Sequence, residues 1–202
     1  MIPELLGPLV TFCFSTSITP GPNVIMVTAS GATFGFRRTL PHLLGITLGF
    51  PVLVVAIGLG LGTAFQALPI LHDGLKVVGS AYLLYLAWRI ATAERPHEGQ
   101  AGGQAGGQPL TFLQAAAFQW VNPKAWVIAV GAVSAFSSLE LSPLANALMI
   151  ALVFGSMSFP CSAVWAGFGT AIGRLLKSER ALRAFNLCLG ALTALSVVLI
   201  FI

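Results

Sequence analysis

Long apolar runs dominate the chain, and short polar or basic segments separate them. The runs cover about 5–34, 43–65, 75–90, 110–139, 144–172 and 182–202. Each is close to the roughly 20 apolar residues that one membrane-spanning helix needs. The pattern predicts six transmembrane helices. Two runs are interrupted internally, the first at Thr19-Pro20-Gly21-Pro22-Asn23 and the fourth at Asn122-Pro123-Lys124. The third is trimmed at its outer end by Asp73 and Lys76. Between the third and fourth lies a polar linker over 92–109 containing QAGGQAGGQ, too rich in Gly and Gln to bury anything, and expected to be flexible.

Composition agrees with lipid as the solvent. Apolar residues make up 56% of the 202, only 8% are charged, and the mean hydropathy is +0.90. A soluble domain carries about a quarter charged residues. A large extramembrane domain is excluded, and with it most soluble-enzyme functions; no enzymatic activity is expected. The net charge of +4 reflects orientation rather than nucleic-acid binding. Arg37 and Arg38, then Arg89 and Arg95, then Arg174, Lys177, Arg180 and Arg183 fall in alternate loops, eight of the ten basic residues. Positive loops stay in the cytoplasm, which places both termini outside. The opening MIPELLGPLV contains Glu4 and no basic segment, so a retained first span is expected rather than a cleaved signal. Cys13, Cys161 and Cys188 lie in apolar runs without paired spacing, as packing residues do.

Pro22 and Pro123 stand 101 residues apart in a chain whose half-length is 101. Each sits in the first span of a three-span half, and an odd number of spans inverts the second half. The expected architecture is therefore an all-α membrane protein of two inverted three-helix repeats, 1–91 and 110–202, joined by the 92–109 linker. Its first and fourth helices are broken by proline. Matched interruptions of this kind mark the binding site of a transporter. Proline removes a backbone donor and frees carbonyls that lipid cannot satisfy. As the first residue of a new half-helix it costs nothing, and that half-helix presents free N–H groups and a positive dipole end at mid-membrane. Opposed carbonyls and N–H groups suit a zwitterion; the competing interpretation is an ordinary kink.

Lys124 lies about 14 residues from either end of its run, roughly 20 Å along a helix. An ammonium so deep marks a pathway or a buried partner, and no acidic residue lies deep enough in a span to pair with it. It is expected to receive the substrate carboxylate. The predicted substrate-binding set is Thr19, Pro20, Gly21, Pro22, Asn23, Gln119, Asn122, Pro123 and Lys124. Ser17, Thr19 and Gln119 serve either the substrate or the carbonyls that the prolines release. Trp120 and Trp126 either line the cavity or fill the bundle. The pairs Gly31/Gly35, Gly45/Gly49 and Gly169/Gly173 predict close helix packing.

The string Ser17-Ile18-Thr19-Pro20-Gly21-Pro22-Asn23, with Asn122-Pro123-Lys124-Ala125, resembles the signature of the LysE/RhtB family of amino-acid exporters. The segment Gly31 to Arg38, the Gly45/Gly49 pair, Gly79-Ser80-Ala81-Tyr82-Leu83 and Tyr85-Leu86 also resemble that family's pattern. The resemblance covers nearly the whole chain. It implies an inner-membrane exporter of amino acids or derivatives, exchanging against protons; with the charge bias, both termini are then expected in the periplasm. Some members carry a His in the second span and an acidic residue in the fifth. Here those stretches read Gly49-Phe50-Pro51-Val52-Leu53 and Phe159-Pro160-Cys161-Ser162, with neither. Glu4, His42, Asp73 and Glu140 all lie toward span ends. Either Lys124 itself exchanges the proton or transport is uncoupled.

The expected cargo is a small, neutral amino acid, because no second anionic group is evident for a dicationic one. A membrane thiol-disulfide carrier is the alternative, although neither Pro22 nor Pro123 has a cysteine beside it. A metal-cation exporter is a further alternative, short of ligands with His42 alone near a span end. No cofactor, resident metal or nucleic acid is expected; the partners are the amino acid and membrane lipid, and a homo-oligomer is compatible with the pattern.

Overall fold

The computed structural model describes residues 2–63, 69–95, 107–138, 140–198 and 201. Most of the predicted flexible linker, 96–106, lies outside the described residues. Among them all regular structure is helical. The helices are α1 (Ile2–Ile18), α2 (Pro22–Phe34), α3 (Phe36–Ala56), α4 (Pro69–Ala91), α5 (Phe112–Val121), α6 (Pro123–Phe136), α7 (Pro143–Leu175) and α8 (Glu179–Leu195). A π-helical turn, Ile57–Leu61, prolongs α3, and Gly60 within it has φ 110°. Phe36–Leu61 and Pro143–Leu175 are each long and apolar enough to cross a membrane, by length and composition.

Local chemistry explains where helices stop. The Gly21 and Asn122 residues that precede Pro22 and Pro123 are both extended, the conformation a following proline favours. The chain therefore leaves one helix and starts another at both points. Pro41, Pro51 and Pro160, in contrast, ride inside continuous helices. Between α2 and α3 the chain turns at Gly35, φ 82°. This corrects the expectation that Gly35 is a packing residue: a Cβ there would meet nothing within 4 Å. The predicted third span is also longer than its apolar run, because α4 starts at Pro69 and carries the exposed Asp73.

Helix α7 is central: α1, α2 and α3 all lie against it, α5 lies against α3, and α4 pairs with α8. Helices α2 and α7 approach backbone to backbone. A Cβ on Gly31 would strike the Ala166 carbonyl, and one on Gly169 the carbonyl of Thr28. Gly45 and Gly49 seat α3 on α5 in the same way, so close packing is their role.

The buried side chains form two clusters. One surrounds Phe154, whose ring meets Phe50 edge-on at 4.8 Å; the other surrounds Phe118, Leu43 and Leu83. The outer surface is also apolar. Leu113, Val127 and Leu152 are each at least 73% exposed, a surface that suits lipid and not water.

One end of the bundle collects the basic segments. Arg95 donates to the Gly173 and Leu176 carbonyls at the C-terminus of α7, at 2.5 and 2.6 Å, where a cation also complements the helix dipole. Arg183 pairs with Glu94 at 2.8 Å; both are exposed, so this contact adds little stability. Asn186 donates to Thr33 Oγ1 and to the Ala93 carbonyl. The chain around residues 33, 93–95, 173–176 and 183–186 is thereby tied together.

Candidate functional site

The two breaks meet. Lys124, second residue of α6, extends its ammonium across to the end of α1 and donates to the Thr19 carbonyl at 2.8 Å and the Pro20 carbonyl at 3.3 Å. Trp165 of α7 donates its indole N–H to the Ile18 carbonyl at 3.0 Å. The three carbonyls from Ile18 to Pro20 are thus all satisfied by side chains from the second half of the chain. In the second break, Trp126 Nε1 donates to the Trp120 carbonyl at 2.8 Å. Trp126 is buried in the Phe154 cluster, and neither tryptophan lines the cavity described below.

A second link joins the breaks one turn further on. Asn23 Nδ2 donates to Gln119 Oε1 at 2.9 Å, and Gln119 Nε2 donates back to Asn23 Oδ1 at 3.2 Å. Gln119 also donates to the Ala115 carbonyl and is fully buried. Both amides are oriented by this reciprocal pair. The Thr19 hydroxyl donates to the Ser15 carbonyl.

Helix α5 is capped by the Thr111 hydroxyl and Gln114, α7 by Ser142, and α8 by Ser178. The helices that open at the breaks have no side-chain cap. In α6 the Ala125 N–H instead donates to the Asn122 carbonyl at 3.0 Å. Asn122, at the cap position of α6, is 2% exposed, and its Oδ1 has no partner among the described residues.

A cavity of about 60 Å³ lies at this junction. Of the predicted set, Thr19, Gly21, Asn23, Gln119, Asn122 and Lys124 line it. Pro20 contributes only its carbonyl to Lys124, while Pro22 and Pro123 begin the half-helices. Gly21 leaves room for Lys124: a Cβ there would come within 2.7 Å of Lys124 Cδ, and the lysine side chain would have to shift. Its φ of −175° is one any residue adopts.

Sequence reasoning missed Trp165 and the α7 wall of the cavity, Phe154, Ser158 and Ser162. Ser158 and Ser162 are buried four residues apart, a polar pair at helical spacing in an otherwise apolar run. That spacing was the available signal. Among the described residues, Lys124 is the one charged side chain in the lining.

Comparison with known proteins agrees with this geometry. The model of the LysE type translocator family matches residues 14–201. The cysteine/O-acetylserine efflux proteins of Escherichia coli (strain K12) and Shigella sonnei (strain Ss046) are each 29% identical over 202 residues, covering 100% of this chain and 100% of their own. No solved structure matches the chain. Two interrupted helices joined through the half-buried Lys124, within a bundle apolar outside and in, thus coincide with a family match over almost every residue, and the chain belongs to the LysE type translocators.

Proposed function

We propose that the protein exports a small, neutral amino acid of the cysteine and O-acetylserine class across the bacterial inner membrane. The observation that carries this is the Lys124 ammonium resting on the Thr19 and Pro20 carbonyls. In the empty carrier the lysine satisfies the exposed end of α1. An arriving substrate offers a carboxylate, which draws the ammonium toward itself and toward the uncapped start of α6. The substrate's own ammonium then takes the vacated carbonyls. One zwitterion replaces one internal cation, and no buried group is left unpaired.

The rest of the cavity fits the side chain of such a substrate. Ile46, Phe50 and Phe154 provide apolar walls and Ser158 and Ser162 hydroxyls. A second cation on the cargo would meet no anion in this lining. Proton exchange belongs to the same proposal and passes through Lys124, the one charged group of the lining.

The proposed architecture is six spans in two inverted repeats, with α1–α2 and α5–α6 as the broken first members. It is supported by the packing, in which the first broken pair lies on α7, the second on α3, and α4 on α8. The basic end faces the cytoplasm and both termini the periplasm, following the charge bias. A cysteine placed in the 92–109 linker is then labelled only after inner-face exposure; labelling from the periplasm inverts the orientation.

The decisive experiment is export of O-acetyl-L-serine from cells carrying Lys124→Met. Export falls to background while membrane abundance holds. Undiminished export by the variant refutes the proposal.

A further inference from the structure

A second cavity of about 60 Å³ lies toward the basic end of the bundle, between α2, α3, α4 and residues 107–110. Ser30, His42, Arg89 and Gln108 supply its polar lining and Met26 part of its apolar wall. His42 is 1% exposed, and neither ring nitrogen has a partner among the described residues. Two bare ring nitrogens carry a desolvation penalty that nothing local offsets. A leucine would fill the same space without it.

Arg89 stands in the same lining. It donates to the Gln108 carbonyl at 2.7 Å and lies 6.0 Å from the Tyr85 ring centroid, and a guanidinium has five N–H donors. The Ser30 hydroxyl bonds that of Thr39 at 2.9 Å. Among the described residues no carboxylate lines this cavity, so its field favours an anion. A neutral imidazole has one N–H and one lone pair. Beside Arg89, the ring N–H and the guanidinium together suit the carboxylate of an amino acid.

The two cavities lie along the same two helices, α2 and α3. On α3, His42 is one helical turn from Ile46 and two from Phe50, and Ile46 and Phe50 line the Lys124 cavity. On α2, Ser30 is seven residues from Asn23, about 10 Å along the axis. Between these positions on α2 and α3 lie Met26, Val27, Leu43 and Ile46, all buried in one cluster. Met26 faces the second cavity and Ile46 the first.

We propose that the His42–Arg89 cavity is a loading site that takes the amino acid before it reaches Lys124, with Met26 and Ile46 as the apolar gate between them. The site rests on the export function proposed above, in which the basic end faces the cytoplasm. It explains a buried histidine that the Lys124 junction does not use.

The test separates the two proposals. In protein bearing His72→Gln and His97→Gln, with ¹⁵N-histidine as the label, the ring signals of His42 are followed while O-acetyl-L-serine or propionate is added. Propionate reports a carboxylate site even if O-acetyl-L-serine is not the cargo. The His42 signals move with either compound, move equally in Lys124→Met, and stay still in Arg89→Gln. Signals that propionate and O-acetyl-L-serine both leave unmoved overturn the loading site, whatever Lys124→Met does to export. In export assays Arg89→Gln and His42→Gln raise KM about tenfold, the loss of one charge-assisted contact, and keep most of the maximal rate. A loss of maximal rate at constant KM overturns it. Export that survives Lys124→Met sinks the Lys124 role alone, because the histidine signals still decide this site.

Discussion

Lys124 Nζ lies 2.8 Å from the carbonyl oxygen of Thr19, a residue 105 positions earlier in the chain. The contact ties the end of one interrupted helix to the start of another, and gives a deep ammonium partners without a carboxylate. A carboxylate there would hold the lysine permanently. Two carbonyls hold it more weakly, because they carry partial charge only, and an incoming carboxylate can compete for it. Under the proposed export function, the contact that stabilises this junction is therefore one that a substrate carboxylate breaks.

Gly21→Ala tests that contact without changing any charge. The added Cβ overlaps Lys124 Cδ at 2.7 Å, while the extended backbone accepts alanine unstrained. The lysine shifts away from the carbonyls, and export kcat/KM falls about tenfold, as for a loss of ~1.4 kcal/mol. Thermal stability in detergent changes little. Kinetics and a melting curve on the purified variant check both halves; unchanged kcat/KM would show that the lysine's position is not critical.

The Asn23–Gln119 pair predicts non-additive damage. Removing either amide leaves its partner buried and half-satisfied, which costs about 1–3 kcal/mol. The double variant Asn23→Ala/Gln119→Ala loses less than the sum, with a coupling of about 1 kcal/mol. A double-mutant cycle on denaturation midpoints measures it. Strict additivity would mean that the amides act independently across the junction.

Trp165→Phe distinguishes structure from transport at the same break. It deletes the indole N–H bonded to the Ile18 carbonyl at 3.0 Å and keeps an aromatic ring in the same place. Stability drops by about 1 kcal/mol, while KM for export stays within about twofold, because Trp165 does not line the Lys124 cavity. A fall in kcat/KM comparable to that of Gly21→Ala, carried by KM, would place Trp165 in substrate binding.

The sequence made the two breaks legible because their cause is local. An extended Gly21 or Asn122 before a proline, with a polar residue beyond, interrupts a helix from its own covalent geometry. Proline alone does not, since Pro41, Pro51 and Pro160 stay inside helices whose neighbours hold them. Lys124 was legible from depth alone, but its partners were not. Carbonyls have no sequence signature, and the indole of Trp165 finds Ile18 only through the packing of α7 on α1. Gly35 shows the opposite ambiguity: spacing from Gly31 suits a packing pair, yet its φ of 82° makes it a turn. The length of α4 escaped for a different reason, because an exposed Asp73 does not end a helix whose other faces are apolar.

Gly169→Val against Gly131→Ala isolates the α2–α7 contact. A Cβ on Gly169 collides with the Thr28 carbonyl and its Cα, atoms of helix backbone that cannot rotate aside. The two helices must separate, and with them the α2 end of the junction that holds Asn23 against Gln119. Overpacking a tight interface costs typically 1–3 kcal/mol, and valine adds two methyl groups beyond the Cβ, so a loss of at least about 3 kcal/mol is expected. A Cβ on Gly131 meets nothing within 4 Å, and alanine there is neutral or slightly stabilising, since it restricts the unfolded chain. Membrane abundance and detergent melting temperature read the contrast directly. If both variants melt alike, α2 and α7 are not in backbone contact, and the junction built on that contact is wrong with it.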